Sequence, residues 1–287
     1  MAGTDPIAAA EAAGDADALF VLTAALLTPA RFPSVLGDDY PAACAALGLQ
    51  AYAEGYGLVF GQDGLGARWT VVVDDVSLVA VAISSWDCGM AYDLSPHEST
   101  VVAGLPGWPL DVATRAPGVP APHDPEPEEG DPAPLAPPSG DDWGPAQRRL
   151  GADEVALQWA AWREQVSDGS TAAPAGTAAT PAAGDADGPT AARGAADPYD
   201  GVRRALDELH GYLEEPPPVG RVRSVVAAEG GVRTLRADGP GWSLVARADD
   251  MAFVLLDELP REVLPVARGA RLPALLEALD AMAVRPS

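Results

Sequence analysis

The spacing of apolar positions divides the chain into segments of different period. Residues 7–27 are Ala- and Leu-rich and predict one or two helices with a break near Gly14-Asp15. Residues 40–56 carry Ala43, Leu47 and Tyr52 at helical spacing. The period then shortens. Residues 56–60, 68–73 and 76–84 are β-branched or aromatic, bounded by Gly or Asp, and predict strands of an antiparallel sheet with Asp74-Asp75 as a hairpin turn. Towards the other end, Val202, Leu206, Leu209 and Leu213 form one helical stripe across residues 199–213. Asp197 before Pro198 supplies its start, and Pro216, Pro217 and Pro218 its stop. Four strands follow, over 221–227, 232–237, 242–248 and 251–256, punctuated by Gly230-Gly231, Gly239-Pro240-Gly241 and Asp249-Asp250. A last helix over 271–284 presents Leu272, Leu275, Leu276, Leu279 and Met282.

Two stretches lack any core-forming pattern. Residues 117–142 are dense in proline and acids, and 167–198 in Ala, Gly, Pro and Thr. Neither offers enough apolar surface to offset the entropy of ordering, so both are expected to be disordered linkers. The resulting expectation is an α+β protein of two small domains. Each would be a three- to four-strand antiparallel meander with flanking helices. Their extents are 1–116 and 199–287, with a short helix at 143–166 held between the linkers. Gly66-Ala-Arg-Trp69 before Asp74-Asp75 parallels Gly239-Pro-Gly-Trp242 before Asp249-Asp250 and hints that the halves repeat one module. The spacing differs by two residues, which preserves strand facing.

The short helix is the most pointed binding feature. Val155, Trp159, Trp162 and Val166 fall at i, i+4, i+7 and i+11, one stripe, with Asp153 and Glu154 at the N-terminal end. A tethered helix with two tryptophans on one face suits a partner's groove, and these four are the expected partner-binding residues. The alternative is docking onto one of the chain's own domains, since a helix this short needs something to bury it.

Composition narrows the partner. The 287 residues carry 18 basic and 42 acidic side chains, a net charge of −24, and every basic residue is Arg. Nucleic acid and anionic membranes are disfavoured, since both are bound through clustered positive charge, and no run exceeds two adjacent Arg. A basic protein partner fits better. No apolar run approaches the ~20 residues of a membrane span. The start lacks a basic secretory region, and two cysteines make no disulfide framework, so a cytoplasmic location is expected. The Lys-free, Ala-, Arg- and Pro-rich bias is that of high-GC, actinobacterial-type coding.

The densest polar cluster lies in 84–100. Cys88 with His97 and Asp93 would form a nucleophile, base and orienting acid if their strands paired, the arrangement of a thiol-dependent hydrolase or transferase. Asp87, Cys88, His97 and Glu98 lack the paired Cys and His spacing of a zinc site, and no metal or cofactor is expected. His210 suits the end of its helix, and Glu258, Arg261 and Glu262 read as a solvated loop. Gly61–Gly66 lacks the following Lys-Ser/Thr of a phosphate loop. The leading expectation is a non-enzymatic adaptor, chaperone-like or regulatory interaction protein. The Cys88/His97 enzyme and an acidic immunity-type protein neutralising a basic partner are the alternatives.

Overall fold

The structure is a computed structural model that describes residues 18–88, 95–127, 129–139, 141–167, 198–226 and 233–285. The fold is α+β with two antiparallel sheets, of four and five strands. The chain divides into two compact units, Met1–Asp142 and Trp143–Ser287.

In the first unit, β1 (Phe20–Leu27), β2 (Tyr56–Gln62), β3 (Arg68–Val73) and β4 (Val101–Pro106) lie side by side in chain order. Helix α1 (Tyr40–Ala46) follows a short 3-10 turn. Its start is set by Asp39, whose carboxylate accepts the Ala42 N–H at 2.7 Å. Tyr40, Ala43 and Cys44 of α1 pack with Leu27, Leu58, Phe60, Val72 and Trp108 on one sheet face. The other face receives α2 (Val76–Cys88) against β1 and β2. Gly57 permits that approach: a β-carbon there would sit 2.8 Å from Val79.

Three expectations change in this unit. The part of 7–27 that is described is strand β1, because Phe20–Leu27 finds a full antiparallel partner in β2. Pairing across a sheet outweighs the helical preference of Ala and Leu. Residues 76–84, expected as a strand, belong to helix α2 instead. Asp75 starts that helix, its carboxylate accepting the Ser77 N–H at 2.9 Å, so Asp74-Asp75 is a helix entry and no hairpin turn. The strand that pairs with β3 on this side is instead β4, which the chain reaches only after α2, and it was unforeseen because Gly104 and Pro106 interrupt its pattern.

In the second unit, β5 (Val222–Val226), β6 (Arg233–Gly239), β7 (Trp242–Arg247), β8 (Ala252–Leu256) and β9 (Leu259–Val266) form the second sheet in chain order. Tight turns set the register. Gly239 pairs with Trp242, and Gly241 between them takes φ +80°. A β-carbon on Gly239 would meet the Trp242 ring at 2.2 Å. Helices α5 (Pro198–Glu214) and α6 (Leu272–Met282) cover one face. The buried stripe of α5 is Val202, Ala205, Leu209 and Tyr212, with Leu213 turned outward, one position round from the expected stripe. Strand β9 is one strand more than the expected four. Pro260, Arg261 and Glu262 read as a loop, yet an edge strand tolerates proline and charge. The two Trp-to-Asp-Asp segments also diverge, since the first leads into a helix and the second into a strand.

The opposite face of the second sheet carries α3 (Pro145–Leu157) and α4 (Trp159–Ser167). The 143–166 region is therefore part of the second unit, and it is two helices meeting at Gln158. Residues 168–197, which hold nearly all of the second expected linker and the Asp197 cap, lie outside the described residues.

Candidate functional site

The Pro-rich stretch expected as a disordered linker makes fixed contacts with the first sheet. Gln62, fully buried on β2, accepts the Ala116 N–H at 2.8 Å through its side-chain oxygen. Its amide nitrogen donates to the carbonyls of Gly66 at 3.1 Å and Pro120 at 3.3 Å. His123 and Leu135 form single bridges with Ala67 and Gly107. The Arg68 guanidinium pairs with Asp124. Proline lowers the entropy lost on fixing such a path, because its φ is already set. Composition registers only the shortage of apolar surface, and here a buried amide and backbone pairing supply the contacts.

The returning segment walls a pocket of about 340 Å³. Its floor is Trp69 on β3 with Gly104 and Pro106 on β4. Its sides are the rings of Pro125, Pro127, Pro132 and Pro134, and Glu126 and Asp131 add carboxylates. Trp69 is held by its own indole N–H, which donates to Asp63 Oδ2 at 3.1 Å. Asp63 is itself tied into the β2–β3 turn, accepting the N–H groups of Leu65 and Ala67, each at 2.9 Å. Gly61 lies opposite Trp69 across the β2–β3 ladder, and a β-carbon there would meet the Leu19 side chain at 2.7 Å. The volume is that of a small-ligand or side-chain site, roughly 300 Å³ or more. Flat aromatic and proline walls beside carboxylates suit a group that is cationic at its tip and apolar along its stem.

The residues singled out from the sequence have different fates. Val155 and Trp159 are buried against Val245, Met251, Phe253 and Leu255 of the second sheet, with Trp162 packed beside them. The Trp159 ring meets Phe253 edge-on at 5.1 Å, and its N–H donates to Asp250 at 3.3 Å. Val166 stays 37% exposed and outside that cluster. The stripe is thus consumed within its own unit, leaving no groove-binding face at Val155 and Trp159. Cys88 is exposed at the last position of α2. His97 caps a 3-10 turn over Glu98–Thr100, its Nδ1 accepting the Ser99 N–H at 3.3 Å. Asp93 lies outside the described residues. His210 Nδ1 is 2.7 Å from the Leu206 carbonyl. Among the described residues, no group of three or more His, Cys, Asp or Glu is placed to hold a metal ion. No described helix is long and apolar enough to cross a membrane.

Beneath α3 runs a polar network that the sequence reading did not foresee. Arg148 and Arg149 are both fully buried. Arg149 pairs with the fully buried Asp238 of β6. Asp238 accepts the Ser243 hydroxyl at 2.7 Å, and Ser243 accepts Arg148 Nη1 at 2.8 Å. Arg148 Nε reaches Asp257 at 2.7 Å. Burying these ions carries a desolvation cost, which such hydrogen bonds offset while fixing the position of α3. Adjacent Arg residues in an acidic chain look like solvated surface, so only their alternation with Ala152 and Val155 on the buried side of α3 could have marked them.

No family model matches the chain, and no curated protein or solved structure matches it either.

Proposed function

We propose that this chain is a protein-interaction protein that captures a basic side chain, Arg or Lys, of its partner in the Trp69 pocket. The observation that carries the reading is the combination of Trp69 and five prolines with Glu126 and Asp131 in one concavity. A guanidinium stacks on aromatic and proline surfaces, its methylenes lie along them, and a carboxylate pairs with its N–H groups. The net charge of −24 adds long-range attraction for a basic partner, which raises the rate of encounter. An adaptor, a chaperone-like protein and a neutraliser of a basic protein all use this chemistry.

The test is tryptophan fluorescence and calorimetric titration of the full chain with an arginine-rich peptide, and with a glutamate-rich peptide of equal length. The expected result is saturable binding of the basic peptide alone. It should weaken about tenfold or more in Trp69→Ala, the loss of one well-placed cation–π contact together with its packing. Glu126→Gln/Asp131→Asn should weaken it and flatten its salt dependence. Equal binding by wild type and a folded Trp69→Ala would refute the pocket reading. The thiol-enzyme alternative has its own readout, hydrolysis or transfer that disappears in Cys88→Ser.

A further inference from the structure

The second sheet has a polar half that its clamp on α3 does not explain. Residues alternate across β5, β6 and β7, so Arg223, Thr234, Arg236 and Arg247 share the face opposite α5 and α6. Arg223 stands directly opposite Arg236 in the β5–β6 ladder. Their exposures are 8% and 4%. Like charges facing each other across a ladder oppose pairing, and burial strengthens the repulsion. Loss of water, and then the neighbouring Arg236, push the Arg223 guanidinium down to about 9.

Arg236 shows what such a place would accept. Its Nη1 donates to Asp153 Oδ1 at 2.7 Å. Its Nε and Nη2 are buried and have no hydrogen-bond partner. Those two donors form one edge of the guanidinium fork, the edge that meets two oxygens of a phosphate or carboxylate side by side. Arg247, two strand positions away on β7, lies over the Trp159 ring at 5.1 Å and also has its Nε without a partner. The charge tally agrees. Among the described residues of this unit, Arg148, Arg149, Arg223 and Arg236 are buried, against Asp238 as the one buried carboxylate. Asp153 and Asp257, both partly exposed, raise the carboxylates only to three against four guanidiniums.

We propose that this face is a binding site for a phosphate-class oxyanion, seated on the Nε–Nη2 edge of Arg236 with Arg223 beside it. Arg223 already lies 4.0 Å from Asp238 and Arg236 is paired with Asp153, so a dianion there adds to the charge facing the pair and satisfies the two buried donors of Arg236. The site lies in the second unit and is independent of the Trp69 pocket.

The experiment uses the full chain with inorganic phosphate, and with glycerol phosphate to distinguish free phosphate from a phosphorylated small molecule. Potassium chloride at matched ionic strength is the control. Thermal melts and phosphorus NMR line widths are the two readouts. The expected result is a rise in Tm with phosphate well beyond that with chloride, as mass action on a folded-state site requires, together with broadening of the phosphorus line. Tighter binding of glycerol phosphate would assign the site to an esterified phosphate. Arg236→Lys keeps the charge but loses the two-donor edge, and is expected to bind about tenfold more weakly. If that variant does not fold, Arg223→Gln serves in its place, with the same loss expected. An equal effect of chloride and phosphate, or a sharp phosphorus line in wild type, would overturn the proposal. So would undiminished binding by the folded variants.

Discussion

At the residue scale, single side chains bear unusual weight. Asp238 answers Arg149 and organises Ser243, and all three are fully out of water. Asp238→Ala would strand a buried guanidinium, so stability should fall by about 3–5 kcal/mol, measured by urea unfolding. A surface pair such as Arg204 with Glu258 should change it by less than about 1 kcal/mol when broken. His123 gives a pH signature. Its two ring nitrogens face the carbonyls of Asp124 and Leu65, at 2.8 and 3.1 Å, and only the doubly protonated ring can donate to both. The Asp124 carbonyl, then that of Leu65, and more weakly Asp63 and Asp124 raise its pKa. A raised value means the contribution is complete below the ordinary histidine pKa, about 6.5, and is lost as pH climbs through the folded-state value. Amide exchange at His123 and Arg68, which are bonded to Gly66 and His123 backbone oxygens, should therefore quicken over that rise beyond the intrinsic pH effect. His123→Gln should remove the excess.

At the element scale, the tryptophan stripe is a packing device. Trp159→Ala should destabilise the second unit by about 3–5 kcal/mol, as truncation of a buried aromatic does. Trp162→Ala should cost less, and Val166→Ala close to nothing, in the same denaturation series. A reversed order would mean that α4 is not seated on Phe253 and Met251. The periodicity marked this stripe correctly as something to be buried and left open what buries it. Elsewhere, legibility followed the source of each element's stability. The strands β6, β7 and β8 and the helices α5 and α6 were readable because glycine turns and amphipathic stripes encode them locally. The run from Val76 to Ser84 was misread because β-branched residues favour strands only where a ladder is open to them. Here Asp75 starts a helix, and β4 takes the place beside β3. Strand β9 hid behind Pro260 and Pro265 for the same reason: its pairing partner, not its own composition, makes it a strand. The Trp69 pocket was unreadable because its floor and walls lie far apart in sequence. Its walls come from a segment whose proline content signals disorder.

At the scale of the whole molecule, the division after Asp142 groups the tryptophan helices with the second sheet. That sheet then has a helical layer on each face, two separate apolar clusters and a polar network beneath α3. A fragment spanning 143–287 is expected to fold alone, with one cooperative thermal transition and native near-ultraviolet tryptophan dichroism. A fragment spanning 199–287 lacks α3 and α4, leaving Phe253, Leu255 and Arg236 bare. It should be markedly less stable or aggregate. Equal stability of the two fragments would mean that α3 and α4 add nothing to the unit. The excess of acid also acts at this scale. Association with any basic partner should slow steeply as salt rises, since surface charges are screened within about 10 Å at ordinary ionic strength.

Of the two cysteines one is buried and the other exposed, and neither is in a disulfide. Cys44 is fully enclosed beneath α1, and burial pushes its thiol pKa up, against the lowering effect of the Tyr40 hydrogen bond. Cys88 stands open at the end of α2. A maleimide dye added to the native protein should therefore attach once, at Cys88, and give a uniformly labelled species without mutagenesis. The much slower second attachment would time the opening of the first core, since Cys44 can react only when α1 lifts from the sheet.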